Sequence, residues 1–305
     1  MSGSGNGNGL ESGGERRCRS FDGHTHLFGP GHVGGSFLAD ARRAWGADYK
    51  LEVTPERHWE QYRHGGGAIV LAFNCPGTGV VVPNEYVADY VRQHPGFLYG
   101  FASVDPRDPD APAQLEFAVK ELGLVGLKLA PIYQKFYPDR PEYFPLYAKA
   151  AELKIPILWH QGTSFVSEGF LDASRPAMLD PIARAFPELK MVIAHLGHPW
   201  HGECVSVIRK NPNVYADMSA LSPRPWQFYN AMMNVTEYRV AHKVLFGSDY
   251  PFFTAEETEA AFRNVNAIVD GTKLPRVPEE DIEAILARDT VGILGLAERR
   301  ENLRA

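Results

Sequence analysis

Short apolar runs of strand length alternate along the chain with longer stretches of helical periodicity. The strand-like runs cover residues 20–27, 68–73, 97–104, 125–130, 156–160, 191–196, 214–218 and 244–248. Several, such as Ala68-Ile-Val-Leu-Ala-Phe and Met191-Val-Ile-Ala, are apolar throughout, as strands buried on both faces must be. Helical spacing predicts helices over 55–64, 84–94, 109–122, 142–153, 178–186, 203–210, 226–242 and 255–269, with a terminal helix over 279–294. Asp110 and Pro112 mark one helix start, Thr254 offers an N-cap before Ala-Glu-Glu, and Gly123 stops the helix that ends at Leu122. Eight strand–helix units predict a closed (β/α)8 TIM barrel, with an open doubly wound sheet as the alternative. No glycine-rich dinucleotide fingerprint follows the first strand. The run between His26 and Asp48 is too long for an ordinary connection and is expected to lie over the barrel mouth as a lid, and the loops 28–50 and 133–141 are expected to set specificity.

Length agrees with this count: 305 residues suffice for one barrel, placed at 20–305, preceded by a Gly/Ser-rich flexible tail at 1–19 that lacks the pattern of a secretory signal. A net charge of −6 and a pI near 6.0 argue against nucleic acid or an anionic membrane as the main partner. The expected partner is a small-molecule substrate, and a homodimer is compatible with the sequence. No window approaches the roughly 18 apolar residues of a membrane span. Cys18, Cys75 and Cys204 are scattered and odd in number, which fits packing residues in a reducing, cytoplasmic setting.

The chemistry begins at His24-Thr25-His26. Two imidazoles one residue apart at a strand end face the same side, which makes half of a metal site. In a (β/α)8 barrel the reacting groups stand at the carboxyl ends of strands, so the other strand ends test that reading. The fourth ends in Leu127-Lys128-Leu129, the fifth in Trp159-His160, the sixth in His195-Leu-Gly-His198, and the eighth in Gly247-Ser248-Asp249. Polar residues recurring at the same end of apolar strands have no use in packing a core.

The phrases FDGHTHL, GLKLAP, ILWHQGTS, MVIAHLGHPW, NPNVYADMSAL and VLFGSDYPF resemble the metal-dependent amidohydrolase superfamily, and most its amidohydrolase-2 branch, which includes aminocarboxymuconate-semialdehyde and hydroxybenzoate decarboxylases and, nearby, lactonases. The resemblance implies that His24, His26, His160 and Asp249 hold a divalent ion. His195 then stands beside the metal water or binds a second ion. Zinc is the expected metal, with manganese or iron as alternatives and a second ion left open. Three imidazoles and a carboxylate leave a coordination position for water, whose pKa a divalent ion can lower from about 15.7 to about 7. Asp249 would take its proton or hold the hydroxide, with His195 as hydrogen-bond donor or relay.

Lys128 has three readings: a carboxylated bridge between two ions, a substrate-anion contact, or a structural ion pair. The chain departs from the branch pattern at Ala130, where a histidine often stands, and at Asp289-Thr290, which concerns helix docking. Arg224 is either a clamp for a substrate carboxylate or an exposed loop residue. Trp159 and Trp200 are expected, with Tyr133, Phe136, Phe252 and Phe253, to line an aromatic pocket or simply to pack. His198 and His201 read as loop histidines rather than ligands. Ser164 and Ser248 lack the Gly-x-Ser-x-Gly setting of a serine nucleophile.

The leading expectation is a hydrolase attacking an ester, lactone or amide carbonyl of a small organic acid. The alternative is a non-oxidative decarboxylase of an aromatic or muconate-type acid. A non-haem iron oxygenase and a non-catalytic binding protein complete the set.

Overall fold

The computed structural model describes residues 20–298; the tail expected over 1–19, with Cys18, lies outside the described residues. Eight parallel strands form one sheet in chain order: β1 (Asp22–His26), β2 (Ala68–Leu71), β3 (Leu98–Ala102), β4 (Gly126–Leu129), β5 (Ile157–Trp159), β6 (Met191–Ile193), β7 (Val214–Asp217) and β8 (Val244–Leu245). Each pairs with the next, and the register is continuous from β2 to β8. The seam between β8 and β1 is closed by backbone bonds from Gly23 N to Phe246 O and from Asp249 N to His24 O, both 2.9 Å. A Cβ on Gly23 would stand 2.9 Å from Phe246 O, so this approach requires glycine.

Side chains fasten the same seam. The buried Asp22 carboxylate accepts bonds from the Ser248 hydroxyl at 2.6 Å, Ser248 N at 3.0 Å and Tyr62 OH at 2.8 Å. Burial outweighs these bonds and raises its pKa to about 6. Ser248 is thereby a structural residue.

Alternation along the strands sorts the core into two layers. Leu71, Phe101, Leu158, Val192 and Leu245 fill the barrel, and Leu294 and Leu296 pack with them at the amino ends of the strands. Ile157, Trp159, Met191, Ile193 and Ala216 face outward, in one cluster with helix residues such as Leu146 and Tyr147. Thr254 forms a full capping box with Glu257, as its position predicts, worth about 1 kcal/mol. Among the described residues no helix is long and apolar enough to cross a membrane. Cys75 and Cys204 are buried free thiols.

The main differences from the sequence expectation lie where strands and helices end. The run 191–196 leaves the ladder after Ile193, where His195 and Leu196 take φ of 58° and 43°. The terminal helix breaks in two, Glu279–Leu286 and Thr290–Leu294, and Asp289 caps the second piece through Gly292 N at 2.8 Å. The lid is more structured than a loop. It contains the helix Gly35–Trp45, and Val33 bridges to Val80 in a short hairpin, Phe73–Cys75 with Val80–Val82, that sequence reading missed.

Candidate metal and substrate site

At the carboxyl ends of β1 and β8, Nε2 of His24 and Nε2 of His26 lie 3.4 and 3.3 Å from the same oxygen, Oδ1 of Asp249. The two histidines arrive by strand alternation. Asp249 arrives by a left-handed backbone turn, φ 71°, an uncommon conformation for a side-chain-bearing residue, which the bond from its N–H to His24 O holds in place. Burial drives the pKa of His24 and His26 well below 6.5, with the Lys128 charge adding to the shift. Both rings are therefore neutral electron-pair donors.

Asp217, at the end of β7, sets the direction of one of them. Its Oδ2 lies 3.0 Å from His24 Nδ1, so the ring proton sits on Nδ1 and the Nε2 lone pair faces Asp249. The other oxygen, Oδ1, accepts from His195 N at 3.0 Å and from Ser219 N and Oγ. Sequence reading passed over Asp217, although a carboxylate ending the run Val214-Tyr-Ala-Asp carries the same signal as the other strand ends. Two imidazole nitrogens and a carboxylate oxygen thus converge on one point, with Lys128 Nζ 3.2 Å from His24 Nε2 and His26 Nδ1 buried without a hydrogen-bond partner. Imidazole and carboxylate are donors suited to a divalent ion, and His24, His26 and Asp249 lie close enough together to hold one.

His160 is placed one step away. Its Nδ1 lies 3.1 Å from His195 Nε2 and its Nε2 3.4 Å from Thr163 O, and it does not join the close group around Asp249. His195 is anchored at Nδ1 by the Ser219 hydroxyl at 2.8 Å, and burial lowers its pKa to about 4. Lys128 is fully buried, with Nζ 3.2 Å from His24 Nε2. Desolvation lowers its pKa, while Asp249 and Asp217 oppose that. Burial likewise raises Asp249, against the pull of His195 and Lys128.

Above this floor opens a cavity of about 360 Å³. His26, His160, His195 and Asp249 lie at its polar end, and Asp249 is the one carboxyl group among the described lining residues. Tyr133, Phe252 and Phe253 line it as expected, joined by Phe28, Phe37, Trp45, Phe73 and Phe165. Arg224 reaches the rim with Nη1 donating to Ala220 O at 2.7 Å, so it is both exposed and at the cavity. His198 also lines the cavity and pairs with His201 across 3.2 Å.

Of the expected substrate contacts, Trp159, Trp200 and Lys128 lie outside the cavity lining. Trp159 points away from the barrel interior, because its neighbour Leu158 takes the inward position. Its ring is buried edge-on against Tyr147 at 5.3 Å. Trp200 turns outside the cavity, under the Arg175 guanidinium at 5.6 Å. Phe136 likewise packs in the core, against Tyr143. Lys128 lies beneath the cavity, outside its lining.

Comparison with known proteins agrees with this architecture. The amidohydrolase family model matches residues 21–288. The gamma-resorcylate decarboxylase of Polaromonas sp. strain JS666 is 21% identical over 268 residues, 71% of this chain and 82% of the relative. A probable 2-pyrone-4,6-dicarboxylic acid hydrolase from Acinetobacter baumannii superposes with a TM-score of 0.63 at 16% identity, covering 91% of this chain and 99% of the other. A dihydroxybenzoic acid decarboxylase from Polaromonas sp. JS666, solved with manganese and 2-nitroresorcinol, superposes with a TM-score of 0.60 at 17% identity, covering 92% and 98%. The chain belongs to the amidohydrolase family, and it is a metal-dependent hydrolase or decarboxylase of that superfamily.

Proposed function

We propose that this enzyme is a non-oxidative decarboxylase of a hydroxylated aromatic carboxylic acid, dependent on a divalent ion, with manganese favoured. One observation carries the reading: an aromatic-walled cavity opens directly onto His26 and Asp249, the outer members of the donor group that His24 completes from beneath, with Asp249 as the carboxyl group that meets a bound ring. The decarboxylase relatives support the same choice over hydrolysis.

His24, His26 and Asp249 would hold the ion, with His160 the candidate to complete the set from its seat on His195. When bound, the ion supplies positive charge that anchors the substrate carboxylate and its neighbouring ring oxygen. The remaining steps belong to the chain. Phe73, Tyr133 and Phe252 grip the faces and edges of the ring and exclude water. Asp249 delivers a proton to the ring carbon that bears the carboxylate. The bond from that carbon to the carboxylate then breaks, its electron pair stays with the ring carbon, and carbon dioxide leaves. His195, held by Ser219 and Asp217, stands beside Asp249 to return the proton. Lys128 keeps the floor electropositive, and Arg224 at the rim meets a second anionic group.

Oxygen-free incubation of manganese-loaded enzyme with 2,6-dihydroxybenzoate tests the reading through its product. Resorcinol formation, lost on chelation and restored by manganese, is expected. Turnover that begins only when oxygen is admitted, or hydrolysis of 2-pyrone-4,6-dicarboxylate as the sole activity across a panel of acids, would exclude it.

A further inference from the structure

The cavity is larger than one ring requires. An apolar cavity of about 150 Å³ is enough to hold a benzene molecule, and the volume here is about 360 Å³. The carboxylate and hydroxyl groups of a hydroxybenzoate occupy part of the difference, and the ring contacts show where the rest lies.

From the donors, aromatic rings lead outward in two lines. His26 stacks on Phe28 at 5.2 Å, and Phe28 meets Phe252 at 6.2 Å. His160 meets Tyr133 at 4.8 Å, and Tyr133 meets Phe37 at 5.8 Å. Both lines end on the same pair, Trp45 and Phe165, whose centroids are 4.6 Å apart. Trp45 lies 5.6 Å from Phe252, and Phe165 lies 4.9 Å from Phe37. The rings that form this end of the cavity, Phe37, Trp45, Phe165 and Phe252, carry no charge. Trp45 remains 40% exposed despite its aromatic neighbours, which leaves apolar surface at the mouth for a ligand to cover.

The wall is also fixed in place. Asp40, buried on the helix Gly35–Trp45, accepts bonds from Ser167 N and Ser167 Oγ, both 2.7 Å, and pairs with Arg43. The lid helix is thus pinned to the loop after β5 that supplies Phe165.

We infer that the preferred substrate is a two-ring aryl acid, with the hydroxylated, carboxylated ring over the metal donors and a second apolar ring laid against the cavity wall that Trp45, Phe165 and Phe252 form together. This rests on the decarboxylase reading for the chemistry, but the outer subsite stands on the cavity alone.

Two measurements separate them. Binding of naphthalene-1,3-diol and resorcinol, the products of two candidate acids, is measured by calorimetry on the metal-loaded and the metal-free protein. Turnover of 1,3-dihydroxy-2-naphthoate and 2,6-dihydroxybenzoate is measured in parallel. The diol with two rings is expected to bind roughly tenfold or more tightly than resorcinol, since a few extra buried carbons confer that order of discrimination. In Trp45→Ala that ratio, and the ratio of kcat/KM for the two acids, should fall toward one. Equal or weaker binding of the two-ring diol overturns the inference, as does a ratio unmoved by Trp45→Ala. Loss of carbon dioxide from the one-ring acid alone, with the naphthoate excluded, overturns it while leaving the decarboxylase reading intact. A tenfold binding preference with neither acid decarboxylated retains the outer subsite and sinks the decarboxylase reading instead.

Discussion

Asp217 Oδ2 lies 3.0 Å from Nδ1 of His24, and this contact determines which nitrogen of His24 faces the metal donors. Removing its charge while keeping its shape should weaken the site without unfolding the barrel. Asp217→Asn is expected to lower divalent metal affinity about 10- to 100-fold, the usual effect of losing such an orienting partner. Competition with a chromogenic chelator reads this directly. Unchanged affinity would show that His24 is oriented by other contacts.

A second buried histidine links stability to acid. His58 is held between Thr25 Oγ1 and Tyr90 OH, at 2.9 Å each, and burial lowers its pKa to about 3. In the unfolded chain it takes a proton below about pH 6.5, whereas in the fold it stays neutral until near pH 3. The unfolded state therefore binds more protons in that window, and stability falls as the pH drops through it, by up to about 1.4 kcal/mol per pH unit for this one group. His58→Gln retains a donor and an acceptor but cannot titrate. Its Tm should fall less steeply than wild type between pH 6.5 and 4. A slope equal to that of wild type would rule out His58 as a contributor.

The β8–β1 seam makes a third expectation. Gly23→Ala places a methyl group 2.9 Å from the Phe246 carbonyl oxygen and should cost about 1–3 kcal/mol of stability, as overpacking does. Because His24 follows directly, metal affinity should fall with it. Thermal melts of the apo and metal-loaded variant check both, and an unchanged apo Tm would mean the seam relaxes freely.

How much of this could be read from the sequence varies with the kind of signal. The eight strands are legible because apolar runs such as Ala68–Leu71 and Met191–Ile193 are buried on both faces. Their ends are not, because His195 and Asp249 leave the ladder through left-handed turns stabilised by distant partners, Asp217 and His24. His24, His26 and Asp249 come together as their strand-end positions imply. Trp159 and Trp200 were expected at the cavity because they adjoin strand ends, but strand alternation sends one outward and the start of the helix His201–Lys210 turns the other aside. The lid helix Gly35–Trp45 escaped notice because its glycine start and three charged residues mask a short apolar face of Phe37 and Ala41. Asp217 was missed for a different reason: its role is to a histidine 193 residues away, and only the closed barrel makes them neighbours.

In the proposed reaction the substrate loses its carboxylate as carbon dioxide without oxidation, with Asp249 acting at the metal donors. The most direct measurement is the stoichiometry of carbon dioxide released to acid consumed, without oxygen, by manganese-loaded wild type and Asp249→Asn, on 2,6-dihydroxybenzoate and 1,3-dihydroxy-2-naphthoate. One carbon dioxide per acid consumed is expected from wild type on at least one of the two, with Asp249→Asn slowed by about 100-fold or more. Acid consumed with no carbon dioxide, or Asp249→Asn as fast as wild type, would contradict the account.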